Sequence, residues 1–340
     1  MTEPAAAGPA LLAEVLRGDR VESRHRGHAL VCDARGEVVA AWGNPDEPVF
    51  PRSSCKMLQA LPLVESGAAA GLSTERLALA CASHSGAGMH VTRVADWLGA
   101  LGLGERDLRC GSQVPDDAAE RHRLRDAGES PCQLHNNCSG KHAGFLMLNR
   151  HLGGGPEYVE FDHPVQLAAR NAFEEMCGAP IRGWGVDGCS APAFETTLRG
   201  LGTAMARMAD PRGLGAARGE AARRLVAAMA EHPLLVAGEG RACSELMAAM
   251  PGGVAVKTGA EAVYVAILPG RGLGVALKVE DGGTRGSECA IAALLVRLGA
   301  LDAGHPAARA RLAAPILSRR GAGIGMIRPA AAFYEAGRRL

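Results

Sequence analysis

The sequence predicts an α/β chain in which helices pack on a mainly antiparallel sheet. Three observations point there. HALVCDARGEVVAAWG (28–43) alternates apolar and polar residues around the turn ARG, and reads as two antiparallel strands. GVAVKTGAEAVYVAILPGRGLGVALKVEDGG (253–283) holds two or three more strands, with GRG as a hairpin turn. Between these ends the apolar residues recur at helical spacing.

Taken in order, MTEPAAAGPALLAEVLRGD (1–19) reads as a helix or strand leading into the first hairpin. SSCKMLQALPLVESG (53–67) reads as a helix that stops at Gly67 and is bent or broken near Pro62. SGKHAGFLMLNRHLG (139–153) has helical spacing and another glycine stop, and HPVQLAARNAFEEMCG (163–178) is amphipathic. HLGGGPEY (151–158) reads as an inter-helix loop. In 210–233 the second half is an amphipathic helix, and a long helix follows from about Arg285. No internal repeat or low-complexity linker divides the chain. It reads as one α/β domain over 1–340, with a core of about 28–300.

Hydrophobic residues make up 47% of the 340, so a large core is available, but aromatic residues make up only 4%. Leu, Val, Ala and Met must therefore fill it. Lys and Arg number 37 against 36 Asp and Glu, which gives no electrostatic reason to expect nucleic acid or an anionic membrane as partner. No apolar run approaches the roughly 18–20 residues that span a bilayer. Glu3 stands where an export signal carries positive charge, and Pro9 and Glu14 break the apolar run, so the expected location is the cytoplasm. A reducing compartment disfavours disulfides among the ten cysteines. Cys32 and Cys81 sit in apolar contexts and read as core residues. Cys138, Cys189 and Cys243 sit in polar, Gly-rich contexts, and the first two read as open.

RSSCKM places Ser53 and Lys56 three residues apart, on one face of any helix that starts there. A serine hydroxyl is a poor nucleophile until a base takes its proton. A lysine kept neutral by burial or by a neighbouring cation, such as Arg52 or Lys257, can be that base. Alone, the pair also reads as a capped, exposed helix start, with Ser54 competing as cap or nucleophile. KTG (257–259) at the start of an apolar strand strengthens the first reading. Serine β-lactamases and penicillin-binding proteins combine Ser-x-x-Lys, a second serine motif and Lys-Thr-Gly on an edge strand. Here Ser83 or Ser85 would supply the second serine.

NNCSGKHAG (136–144) places Cys138, Lys141 and His142 within one turn of a helix start, and GVDGCSAP (185–192) places Asp187 and Cys189 in a loop. Two thiolates from separate loops suit zinc, with a deprotonated lysine or His142 beside them. Paired catalytic cysteines or packed ones are the alternatives.

RSSCK, ACASHSG (80–86), CGSQVP (110–115), NNCSGKHAGFL (136–146), GVDGCSAP and KTGAEAVY (257–264) together resemble the Rhizobium-type L-asparaginases (class 3, formerly thermolabile) of the L-asparaginase II family. The resemblance implies a fold similar to serine β-lactamases and glutaminases. It implies hydrolysis of L-asparagine to L-aspartate and ammonia through two Ser-Lys pairs, Ser53 with Lys56 and Ser83 with Lys257. It implies zinc held by Cys138, Cys189 and Lys141, orienting substrate rather than carrying the main chemistry. Asp187 and His142 would sit beside the metal, with Cys243 near the site, and the chain would form a homodimer. The family usually continues ASHSG with Glu, whereas this chain has Ala87. Glutaminase or another Ser-Lys amidohydrolase is the enzyme alternative. A catalytically inactive zinc- or amino-acid-binding protein on the same fold is the non-enzymatic one.

Overall fold

Alternation along the chain decides which strands can lie between two layers and which must lie at a rim. The computed structural model describes residues 8–334 and residue 340. Residues 1–7 of the expected lead-in lie outside it. The strands are β1 (Ala10–Arg17), β2 (Arg20–Asp33), β3 (Val38–Trp42), β4 (Pro48–Val49), β5 (Gly183–Val186), β6 (Pro192–Thr197), β7 (Ala255–Thr258), β8 (Val263–Leu268), β9 (Leu273–Val279), β10 (Ala314–Leu317) and β11 (Gly323–Pro329). The chain divides into two compact units. The first holds residues up to Ser54, Thr196–Asp210 and everything from Glu245 on. The second holds Cys55–Glu195 and Pro211–Ser244.

The first unit is an antiparallel sheet in the order β10-β11-β1-β2-β9-β8-β7, with β3 paired to β2. Every residue of β8, VYVAIL, is buried, as expected of a strand covered on both faces. In β2, Leu30 and Cys32 approach the helix Leu198–Ala209, while Ala29 and Val31 alternate to the other face, and all four are fully buried. That helix lies against β9, β2 and β8. The approach needs Gly274: a Cβ there would stand 2.3 Å from both the Ala206 nitrogen and the Gly202 oxygen. The helix Thr284–Arg297 packs against β1, β11, β8 and β9, with Cys289 in a cluster with Ala13, Val15 and Ile327.

The second unit is mainly helical. Its central helix, Lys56–Glu65, is buried at every position from Lys56 to Val64, so it has no solvated face. The helices Thr74–Ala80, Ser139–Leu152, Pro164–Cys177 and Ala216–Glu231 surround it. Pro62 lies inside this helix, whose last carbonyls, at Pro62 and Val64, are met by backbone N–H groups at Ser66 and Gly67. β5 pairs with the Pro192–Glu195 part of β6 at the rim of this unit, leaving Trp184 and Val186 exposed.

The expected hairpin at 28–43, the strands of 253–283 and the helices after Ser139, after His163 and near Arg285 are all present. Residues 153–163 form the connection expected between two helices. The GRG turn is a short 3-10 segment, Pro269–Arg271, followed by Gly272. Lys-Thr-Gly corrects the reading of that region. It ends β7, at the edge of the sheet, rather than starting a strand. The lead-in, left open between helix and strand, is the strand β1 from Ala10, while β4, β5, β6, β10 and β11 were not anticipated as strands. β1, β10 and β11 lie outside 28–300.

Candidate active site and its thiol pair

In the first unit the chain makes a 3-10 turn at Arg52–Cys55. The Pro51 carbonyl accepts from both the backbone N–H of Ser54 at 3.1 Å and its hydroxyl at 2.8 Å. Ser54 is wholly buried, so its hydroxyl serves the turn. Ser53 beside it is half-buried and reaches solvent. Arg52 adopts φ 51°, a left-handed conformation uncommon for a residue with a side chain. Glu261 and Ala262, two and three residues after Gly259, share this conformation at 54° and 56°. Strained backbone of this kind persists where surrounding structure over-determines it, and it clusters at functional sites.

The same unit joins this turn to the Lys-Thr-Gly segment. A Cβ on Gly259 would lie 2.3 Å from the Pro51 oxygen and 3.2–3.3 Å from Ser54, so only glycine permits this contact. Gly259 N–H donates to the Val263 carbonyl at 2.7 Å. Lys257 is fully buried, and its Nζ donates to the Thr258 carbonyl at 2.9 Å.

In the second unit Lys56 opens the central helix. Its Nζ donates to the Ala82 carbonyl at 2.6 Å and lies 3.1 Å from the Cys138 sulfur. The helix Ser139–Leu152 brings Lys141 within 3.1 Å of the Cys189 sulfur, and the Cys138 thiol also meets the Asn137 Oδ1 at 3.0 Å. Cys138 and Cys189 hydrogen-bond to each other. That shared proton stays on Cys138, whose pKa is raised by the bond and by burial. Cys189 is held as the thiolate by the same bond and by the Lys141 ammonium, against the cost of its own burial. Burial works against the Lys141 charge, but the Cys189 and Cys138 sulfurs and Asp187 outweigh it and raise its pKa. Burial lowers the pKa of His142, so it is neutral. His142 Nδ1 is 2.9 Å from the Tyr158 hydroxyl, which also accepts the Arg109 N–H at 2.8 Å.

These contexts correct the expectation that Cys138 and Cys189 are open, and Cys243 is closed off as well. All three are at most 5% exposed. The polar, glycine-rich sequence around them serves local turns, as where Asn136 Oδ1 accepts the Cys138 N–H at 2.8 Å and Ser190 takes φ 69°. Ser83 is buried on the second unit, its N–H donating to the Val236 carbonyl at 2.9 Å. Asp187 acts electrostatically on Lys141. Cys243 is buried in the helix Ala242–Ala249. Ala87 caps the helix Gly88–Ala100 without a side-chain bond. His84, which bonds Ser139 Oγ at 3.0 Å and stacks on His90 at 4.6 Å, and Tyr158 were not singled out from the sequence. A lone His or Tyr far away in sequence carries no spacing signal.

A metal fits the donor chemistry of the thiol pair in one respect. Two sulfurs lie beside an amine, and His142 Nε2 is buried with no hydrogen-bond partner of ordinary geometry. Among the described residues, however, no three His, Cys, Asp or Glu side chains gather into a metal-holding group. A four-donor site would therefore need Lys141, and binding would release its proton and that of Cys138.

The family model for L-asparaginase II matches residues 13–329. The chain belongs to the L-asparaginase II family. It is accordingly an amidohydrolase. No curated protein matches the chain. Among solved structures it is similar to a β-lactamase from Mycobacterium bovis, at 14% identity and TM-score 0.44 over 79% of this chain and 94% of that one. It is also similar to a protein described as Mglu in its native form, at 17% identity and TM-score 0.48 over 82% of this chain and 66% of that one. For an L-asparaginase II family member, the described residues contain no helix long and apolar enough to cross a membrane.

Proposed function

We propose that the chain hydrolyses L-asparagine to L-aspartate and ammonia, with Ser53 as nucleophile and Lys56 as its base. The observation that carries this reading is Lys56. It is 1% exposed and stands three residues after Ser53 in one continuous run of helical turns. Two directions around Nζ are taken by the Ala82 carbonyl and the Cys138 sulfur. In the neutral amine those two N–H bonds leave one lone pair, the group a serine proton requires. The family match and the half-exposed Ser53 beside a committed Ser54 support the same assignment.

In this reading Lys56 takes the Ser53 proton as the oxygen attacks the side-chain amide carbon. The proton is passed to the leaving nitrogen, ammonia departs, and water hydrolyses the aspartyl ester. Ser83 and Lys257 form the second pair, which relays protons or activates that water. Arg52 adds positive charge at the nucleophile's turn. Cys138, Cys189 and Lys141 would hold zinc, with His142 and Asp187 beside it and Cys243 nearby. When bound, zinc would orient the substrate's α-amino or carboxylate group and would replace an ammonium as the thiolates' counter-charge. The same reading places the protein in the cytoplasm as a homodimer.

Ammonia release from L-asparagine, with L-glutamine in parallel, tests the activity. Asparagine should be strongly preferred, although one methylene is worth only about 1–3 kcal/mol in binding. Ser53→Ala should lower kcat by at least a thousandfold, and full turnover by that variant removes the nucleophile assignment. Release from neither amide, with substrate still bound, favours the binding-protein alternative. Zinc is tested separately by metal content: Cys138→Ser should lose bound zinc, and retention at full stoichiometry removes the metal assignment.

A further inference from the structure

Away from the Cys138–Cys189 pair, the second unit brings together a thiol, an imidazole and a carboxylate. Cys132 Sγ is 3.3 Å from His135 Nδ1, and His135 Nε2 is 3.3 Å from Glu120 Oε1. The Cys132 backbone N–H also donates to Nδ1 at 3.1 Å. Nδ1 is therefore the unprotonated nitrogen, and Nε2–H donates to the carboxylate. In this tautomer the single Nδ1 lone pair faces both the Cys132 N–H and the Cys132 thiol, which share it. His135 and Glu120 are 4% and 6% exposed, so the imidazole is shielded and held in place. Cys132, by contrast, is half-buried, whereas the other nine cysteines are buried. The most accessible thiol of the chain is the one that carries a base and an orienting acid.

We propose that Cys132, His135 and Glu120 form an activated-thiol site that exchanges with low-molecular-weight disulfides. His135 takes the thiol proton, and the Cys132 thiolate attacks one sulfur of the disulfide. A new S–S bond forms as the old one breaks, and the departing thiolate takes the proton from His135. Cys132 ends as a mixed disulfide and the small disulfide as one free thiol, so electrons and protons balance.

The groups facing this relay support it. Arg123 donates two hydrogen bonds to Glu120 Oε1, at 2.8 and 2.9 Å, and keeps the carboxyl below its usual range, so the acid stays ionised and accepts from Nε2–H. Glu105 accepts the Gln133 N–H at 2.9 Å, and the buried Cys110 thiol bonds the Gln133 carbonyl at 3.5 Å, which fixes the turn Gln133–His135 from its other side. Gly88, at the start of the helix Gly88–Ala100, lies against Glu120 and brings no charge. The contact of Cys132 with His135 also closes that turn, so a purely structural role has the same geometry and must be separated by reactivity.

The reduced full-length protein would be exposed to oxidised glutathione from pH 6 to 9, quenched with acid and mapped by peptide mass spectrometry. Cys132 should be modified before the other nine cysteines. Its rate at pH 7 should exceed that of the same cysteine in the urea-unfolded chain by at least tenfold. Its pH profile should rise below the ordinary thiol range, about 8.5. His135→Gln should slow the reaction about tenfold and return the profile to that range. Should that variant unfold, Glu120→Gln should give a smaller slowing in the same direction. A folded-state rate no higher than the unfolded rate, an unshifted profile, or earlier modification of another cysteine overturns the proposal.

Discussion

Tyr158 shows how much a single side chain organises here. It is fully buried, and burial raises its pKa, so the hydroxyl stays protonated. That one oxygen serves both the Arg109 N–H and His142 Nδ1. Tyr158→Phe removes it without changing ring volume and leaves the buried His142 Nδ1 and the half-buried Arg109 N–H without this partner. The expected cost is about 1–3 kcal/mol, read as a lower urea midpoint at unchanged slope. Activity measured under folded conditions should fall as well, because His142 loses the contact that orients its ring. An unchanged midpoint would mean that water replaces the hydroxyl. No sequence pattern could have linked Tyr158 to His142, which lie sixteen residues apart across the loop that follows the helix Ser139–Leu152.

Among the elements, β7 and the 3-10 turn before the central helix depend on Gly259. A methyl group there would have to displace the Pro51 carbonyl, since backbone cannot yield as a side-chain tip can. Gly259→Ala is therefore expected to destabilise the chain by roughly 1–3 kcal/mol. It should lower kcat by more than that loss of folded population explains, because the displaced turn carries Ser53. Thermal melting and turnover on the same preparation separate the two effects. The elements that the sequence revealed were those with a clean period. β2 from His28, β8 and β9 alternate or run apolar between turn residues, and the helices end in glycine. β5 and β11 were concealed. β5 is GWGV and β11 begins GIG, and glycine contributes nothing to a hydrophobic period. The start of β2, RVESRHR, carries charge on alternate, exposed residues with little apolar content between them, and no strand was expected there. The motifs at Ser53, Cys138, Cys189 and Lys257 stood out by residue type and order. The burial of Cys138, Cys189 and Lys257 did not, because residue type and order carry no record of it.

At the scale of the whole molecule, stability should depend on pH through histidines buried without charge. His90 is fully buried, its Nε2–H donates to the Leu234 carbonyl at 3.0 Å, and Nδ1 has no partner to receive a second proton. Burial thus lowers its folded-state pKa, against the weaker opposing effect of the Leu234 bond. The unfolded chain then binds the proton more readily than the folded one. The contribution of His90 is fully present above its unfolded pKa, about 6.5, and is lost as pH falls through the folded value. Unfolding free energy in urea should decline from pH 7.5 towards 5, with the decline shallower in His90→Asn. A slope identical in both proteins would assign the acid sensitivity elsewhere.

The pairing of β1 with β11 has a consequence during synthesis. The first described strand pairs on one side with β2, made directly after it, but its other edge waits for β11, made about three hundred residues later. Residues 55–195 and 211–244 emerge well before that, complete with the central helix and the helices around it. Vectorial synthesis therefore favours a nascent chain whose helical unit is settled while its sheet still lacks an edge. Ribosome-stalled chains ending near residue 300 should expose β1 to proteolysis, and release of the full length should close that window.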